Sequence, residues 1–203
     1  MGHVDKTITL CGLDDLAARR RVDAREVVRS APPGPERDRI LALLEHHPDA
    51  LDRRCRPGHL TGSALVVEPV HYRFLVLYHR KLQRWLQPGG HADGDSDLAR
   101  VALREAPEET GIEGLRVAEP AIDLDIHVVD PPGEDSHQHH DVRFLVIAPS
   151  GAVARGNSES EALRWITMGE LDAIGADCGM FRLARRGTEL LSVLRSKGII
   201  GRK

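Results

Sequence analysis

Residues 89–112 read GGHADGDSDLARVALREAPEETGI, and the fold turns on how that stretch is understood. A glycine pair, Gly89-Gly90, closes a run with strand character, and a polar loop with Asp93, Asp95 and Asp97 follows. A helical pattern comes next and Gly111 stops it, as glycine commonly does just past a helix end. Glu105, Glu108 and Glu109 lie at offsets of three and four, which puts their carboxylates on roughly one helix face. Ser96 or Asp95 is the expected N-cap. Pro107, inside the last turn, removes a hydrogen bond and crowds the carbonyl of Leu103, so the spacing predicts a kink there.

Three acids at this end of a helix are misplaced, because the dipole already presents partial negative charge there. Glu105 would stand about 5–6 Å from each of the other two. At an effective dielectric near 20, each such pair repels by roughly 3 kcal/mol. Leu98, Val101 and Ala102 precede them on the same face, which therefore looks inward. Two readings follow: a solvated acidic face partly neutralised by Arg100 and Arg104, or a site where carboxylate oxygens hold a hard divalent cation.

The same stretch resembles the Nudix box: G, five residues, E, seven residues, R-E-U-x-E-E-x-G-U, with U a bulky apolar residue. Gly90 is followed at the required spacings by Ser96 and then by Arg104-Glu105-Ala106-Pro107-Glu108-Glu109-Thr110-Gly111-Ile112. Ser96 stands where the family has its first Glu, and Ala106 is small for its place. The approach Trp85-x-x-Pro88-Gly89-Gly90 is also similar to that of Nudix relatives. The resemblance implies Mg²⁺ or Mn²⁺ as cofactor, held by Glu105, Glu108, Glu109 and the Gly90 carbonyl, with Arg104 orienting the glutamates. It implies catalytic roles for Glu105, Glu108 and Arg104, and a general base from a late loop, Glu159 or Glu161.

Outward from the box, residues 58–67 and 71–79 read as two strands of a hairpin. Trp85 reads as core or rim packing. Residues 115–130 alternate, with Ile122, Leu124, Ile126 and Val128 on one side and Asp123, Asp125 and His127 on the other. The next strand, 136–147, puts His137, His139, Asp141 and Arg143 on one face. Such a group binds a transition metal, or phosphate when protonated. His91 in the box loop completes it, and substrate binding is the preferred assignment for all five. Residues 161–166 form a last strand, residues 168–174 a short helix and residues 179–196 a closing amphipathic one. Upstream, residues 13–30 read as one arginine-rich helix, broken by Ala31-Pro32-Pro33-Gly34-Pro35, with a second helix over 36–47. Arg19, Arg20 and Arg21 read as a solvated face.

Taken with the resemblance, the expected architecture is α/β: a Nudix-like α/β/α sandwich with a mixed central sheet over 58–203, and an N-terminal helical extension over 1–57. The chain has 203 residues, 41% of them apolar, enough for one domain with an appendage. A net charge of −3 argues against an extended nucleic-acid surface. Three scattered cysteines, Cys11, Cys55 and Cys178, fit a cytoplasmic setting, and no stretch reads as a membrane span. The expected function is metal-dependent hydrolysis of a diphosphate linkage in a nucleoside diphosphate joined to another moiety. The partner is the small-molecule substrate, with the chain as a homodimer. Two alternatives stand beside it: a non-catalytic nucleotide-binding or sensing module, favoured by Ser96 and Pro107, and an enzyme like isopentenyl-diphosphate isomerase, which needs a cysteine in the site.

Overall fold

The computed structural model describes residues 7–130, 133, 135–158 and 160–201. In chain order the elements are β1 (Thr9–Cys11), α1 (Leu13–Ala18), α2 (Ala24–Ser30), α3 (Pro35–His46), β2 (Gly58–Glu68), β3 (Arg73–His79), β4 (Arg84–Leu86), β5 (Gly89–His91), α4 (Leu98–Thr110), β6 (Arg116–Val129), β7 (His137–Ile147), β8 (Ser160–Ile166) and α5 (Cys178–Ser196). The strands form one mixed sheet in the order β1-β6-β7-β2-β3-β4, with β5 added to β2 and β8 to β3. The β2–β7 pair is parallel and the other pairs are antiparallel.

Strand β2 is buried along its whole length, which explains its run of small and β-branched residues. Leu60, Ala64 and Val66 face a core shared with α1 to α4, whereas Leu65 and Val67 face a second core under α5. The sheet is thus covered by helices on both sides. Close approach explains the glycines: a Cβ on Gly62 would lie 2.8 Å from the Leu98 carbonyl at the start of α4. Leu16, Val28 and Ile40 from the N-terminal helices join the same buried cluster as Val101 and Phe144.

The region read as one helix over 13–30 is two. The chain leaves α1 at Arg19 in extended backbone (φ −77°, ψ 158°), and Asp23 restarts the helix by accepting a hydrogen bond from the Arg25 amide at 2.9 Å. The break lets Arg19 reach Asp97 and Glu119, so it is no solvated arginine. Asp97, not Ser96 or Asp95, caps α4, accepting from the Arg100 amide at 3.2 Å. Asp95 lies one step back, bound to the Asp97 amide and paired with Arg100.

Pro107 does not end α4, which continues to Thr110. The proline comes where few intrahelical bonds remain to lose, and Leu98, Val101, Ala102 and Ala106 bury the face that precedes it. The helix stops at Gly111, in the left-handed conformation (φ 64°), whose amide donates to the Pro107 carbonyl at 2.8 Å. The short helix expected over 168–174 is two 3₁₀ turns, Met168–Glu170 and Asp172–Ile174. No helix of the described residues is long and apolar enough to cross a membrane.

Candidate active site

A cavity of about 430 Å³ opens beside the sheet, lined by Glu105 and Glu109, Gly89 to His91, the inward residues of β2, β6 and β7, and the start of α5. On one wall, β5 pairs with β2 so that Gly90 lies opposite Gly62. A Cβ on Gly90 would lie 2.5 Å from the carboxylate carbon of Glu105, so only glycine allows the acid that close. Arg104 donates to Glu105 Oε1 at 2.8 Å and to the His91 carbonyl at 3.3 Å. The Gly89 amide donates to Glu109 Oε2 at 2.9 Å. Arg104, expected to orient the glutamates, is thus in contact with Glu105.

Glu108 differs. It is exposed and is not among the residues lining the cavity, so the three carboxylates do not share one surface. Among the described residues they form no converging three-ligand group. Glu105 and Glu109, with the Gly90 carbonyl on the adjoining strand β5, are oxygen donors of the kind Mg²⁺ or Mn²⁺ takes, and both carboxylates line the cavity. These residues fit such an ion. Glu159 lies outside the described residues, and Glu161 is exposed, within 3.4 Å of Gln83.

Ser96 is nearly buried and turned away from the cavity. Its hydroxyl donates to the Val22 carbonyl at 2.6 Å, so it fastens the N-terminal segment.

The cavity floor is an ion network. Asp141 accepts from Thr61 at 2.9 Å, Ser63 at 2.8 Å and Arg143 at 2.7 Å. Arg143 also reaches Asp125 at 2.8 Å and Asp123 at 3.5 Å. Arg182 and Arg186 of α5 close the network on Asp123. Three aspartates thus balance three arginines. Burial raises the Asp125 carboxyl, but His127, Arg143 and Arg182 outweigh it and hold the group well below the usual range. Asp141 and Arg143, expected from the sequence to bind substrate, both line the cavity and are also paired with one another and with neighbouring strands.

Above that floor the histidines converge. Register sets His127 of β6 opposite His139 of β7, and His139 beside His59 of β2. His91 enters from β5, opposite Thr61. The His59 ring lies 4.9 Å from His137, 4.9 Å from His139 and 5.0 Å from His91, centroid to centroid. His127 stands 5.6 Å from His139. Burial first, then the neighbouring histidines, lowers His59 to about 4 and His139 further. The same surroundings favour the neutral imidazole in both rings. Sequence alternation grouped His137, His139 and His91 but did not assign His59 or His127 a place with them. Their signal was the Gly58-His59-Leu60-Thr61 run and the polar side of β6.

The NUDIX domain pattern matches residues 59–185, more than half of the chain. The chain belongs to the NUDIX domain family. It is 29% identical over 114 residues to a Lactococcus lactis subsp. cremoris protein named as a probable DHNTP pyrophosphohydrolase, covering 53% of this chain and 66% of that one. Its fold is similar to the Caenorhabditis elegans Ap4A hydrolase binary complex (TM-score 0.55, 19% identity, 66% of this chain and 98% of that one). It is also similar to the Escherichia coli dihydroneopterin triphosphate pyrophosphohydrolase (TM-score 0.50, 18% identity, 64% and 92%). In this NUDIX chain the matched region begins at His59 and takes in Glu105, Glu109 and the whole histidine group.

Proposed function

We propose that this NUDIX chain hydrolyses a diphosphate linkage in a nucleotide-like small molecule, with Mg²⁺ or Mn²⁺ held by Glu105, Glu109 and the Gly90 carbonyl. The observation that carries the reading is the pair of box carboxylates set against the Gly89-Gly90 cradle on the wall of a nucleotide-sized cavity. Family membership and the name of the lactococcal relative support it.

When bound, the ion neutralises charge on the diphosphate oxygens and makes a bound water more acidic. The chain's own residues do the rest. Arg104 fixes Glu105 through Oε1, leaving Oε2 directed at Gly90. The Gly89 amide fixes Glu109. Lys81 and Arg84 are exposed at the cavity and draw in a polyanion. Leu82, Trp85 and Leu86 offer apolar surface to the remainder of the substrate.

The non-catalytic reading rested on Ser96 and Pro107; Ser96 fastens the N-terminal segment and α4 runs through Pro107 to Thr110, so both are compatible with the hydrolase reading. The isomerase-like reading needs a cysteine in the site, and no cysteine lines this one.

The test is a panel of nucleoside triphosphates, nucleotide sugars, dinucleoside polyphosphates and pterin triphosphates, with Mg²⁺ and Mn²⁺ compared and products read by mass. Glu105→Gln and Glu109→Gln are expected to lower turnover on the best substrate by about a hundredfold or more. Glu108→Gln, altering an exposed side chain, is expected to cost less. Near-full activity in both Glu105→Gln and Glu109→Gln sinks the assignment.

A further inference from the structure

The structure assigns a second metal site to the histidine group of the same cavity: we propose that His59, His137 and His139 bind one borderline divalent transition ion of the Zn²⁺ class, through ligands distinct from the carboxylates of the box helix. One ligand nitrogen from each of the three rings lies within 4.8 Å of the other two. Around a tetrahedral zinc, with bonds of about 2.0–2.1 Å, such nitrogens stand about 3.3 Å apart, so small ring movements close the set.

Three features distinguish this group from an ordinary stack of buried rings. First, His59 is 1% exposed, and neither of its ring nitrogens meets a partner in hydrogen-bonding geometry. The Cys55 backbone only weakly favours its charged form. A buried imidazole normally has both nitrogens engaged; His140 shares the idle nitrogens, but His59 has them against three other imidazole rings, which points to a ligand. Second, His137 Nδ1 lies 2.7 Å from the Asp135 carbonyl. A carbonyl only accepts, so Nδ1 carries the proton and Nε2 keeps its lone pair. Metal-binding histidines are commonly oriented in this way by their other nitrogen. His127, at the edge of the group, is held likewise by Asp125 through Nδ1 at 3.0 Å. Third, the three rings come from adjacent strands of a buried, ladder-bonded sheet, so their spacing is set by register rather than by a loop.

The donor set selects the metal. Three neutral imidazoles suit Zn²⁺, Co²⁺, Ni²⁺ or Fe²⁺ and do not suit Mg²⁺, which prefers oxygen. His137 and His139 face the cavity, so the remaining coordination positions are open to water or to an oxygen of the substrate. This makes the histidine wall an electrophile for the part of the substrate that the box carboxylates do not reach. A rival donor group, His47, Asp49 and Cys55, exists near the N-terminal helices. A Cys55→Ser variant separates that group from the histidine site.

The experiment uses the full chain, stripped with a chelator and then titrated with Zn²⁺ in the presence of excess Mg²⁺, followed by calorimetry. Co²⁺ serves as the spectroscopic probe. The expected result is one Zn²⁺ per chain, with visible Co²⁺ bands of a four- or five-coordinate nitrogen set. Binding is retained in a Glu105→Gln/Glu109→Gln double variant and in Cys55→Ser, and weakened by about a hundredfold or more in His137→Ala and His139→Ala. His139→Asn, closer in shape, is the second variant should His139→Ala fail to fold. Three outcomes overturn the proposal: no Zn²⁺ binding by natively folded wild-type chain, loss of binding in the glutamate double variant with the histidine variants intact, or loss in Cys55→Ser alone. The readout is binding and colour, so a chain that binds Zn²⁺ yet cleaves no diphosphate upholds this site while defeating the proposed hydrolase.

Discussion

Arg19 grips Asp97 through two hydrogen bonds, Nε to Oδ2 at 2.7 Å and Nη2 to Oδ1, while its other terminal nitrogen reaches Glu119 at 2.6 Å. Asp97 is also the N-cap of α4. One guanidinium thereby ties the segment after α1 to the start of the box helix and to β6. With its side chain 3% exposed, Asp97 has little water to replace that partner.

Arg19→Ala should therefore lower the unfolding free energy by about 2–3 kcal/mol, since a nearly buried carboxylate is left without its charge partner. Arg19→Lys should recover only part of this, because an ammonium does not reproduce the planar fork. Urea unfolding of the three proteins measures it. A change within experimental error for Arg19→Ala would show that the segment is held by apolar packing alone.

Gly90→Ala separates folding from function. The added methyl carbon would stand 2.5 Å from the Glu105 carboxylate carbon and must push that side chain aside. A displacement near 1 Å at a reacting centre costs about a hundredfold in rate. Far-ultraviolet circular dichroism should stay native while turnover falls by about that factor. Unchanged turnover would mean that the position of Glu105 does not matter to the reaction.

Lys81 and Arg84 are exposed at the cavity and enter no ion pair among the described residues. Replacing both with alanine should raise KM severalfold, leave kcat nearly unchanged, and weaken the salt dependence of kcat/KM, because exposed charges act by long-range attraction that salt screens. Steady-state kinetics at low and high salt reads all three. An unchanged salt dependence would show that substrate is not steered by these side chains.

The sequence made local relationships legible and long-range ones much less so. The spacing from Gly90 to Gly111 marked the box helix, its glycine cradle and Arg104 beside Glu105. Period two placed His137, His139, Asp141 and Arg143 on one face. What depended on chain return was hidden. The pairing of His59 with His139 comes from a parallel register between strands about eighty residues apart. Arg182 and Arg186 reach Asp123 from a helix near the end of the chain. Even locally, helical spacing alone could not separate Glu108 from Glu109. At about 100° per residue the two fall on opposite sides of Glu105, and only contact with β5 decides which one meets the cavity.

Glu68 should govern an acid limb in stability. Its buried carboxylate closes the β2–β3 turn, accepting from the Val70 and His71 amides at 2.9 Å each and lying 3.0 Å from His71 Nδ1. Burial raises its pKa, but these donors outweigh burial, and the group titrates below its ordinary value of 4.5. A carboxylate with a lowered folded pKa contributes stability that is fully present above the unfolded value. That contribution is lost as pH falls through the folded one, because the unfolded chain takes up the proton first. Glu68→Gln is expected to cost about 1.5–3 kcal/mol near neutral pH, the range for hydrogen bonds to a charged group. The gap between wild type and variant should narrow as pH falls below 4.5. Urea unfolding at a series of pH values from neutral to strongly acid tests this. A gap that stays constant across that range would assign the turn's stability to packing rather than to the ionised carboxylate.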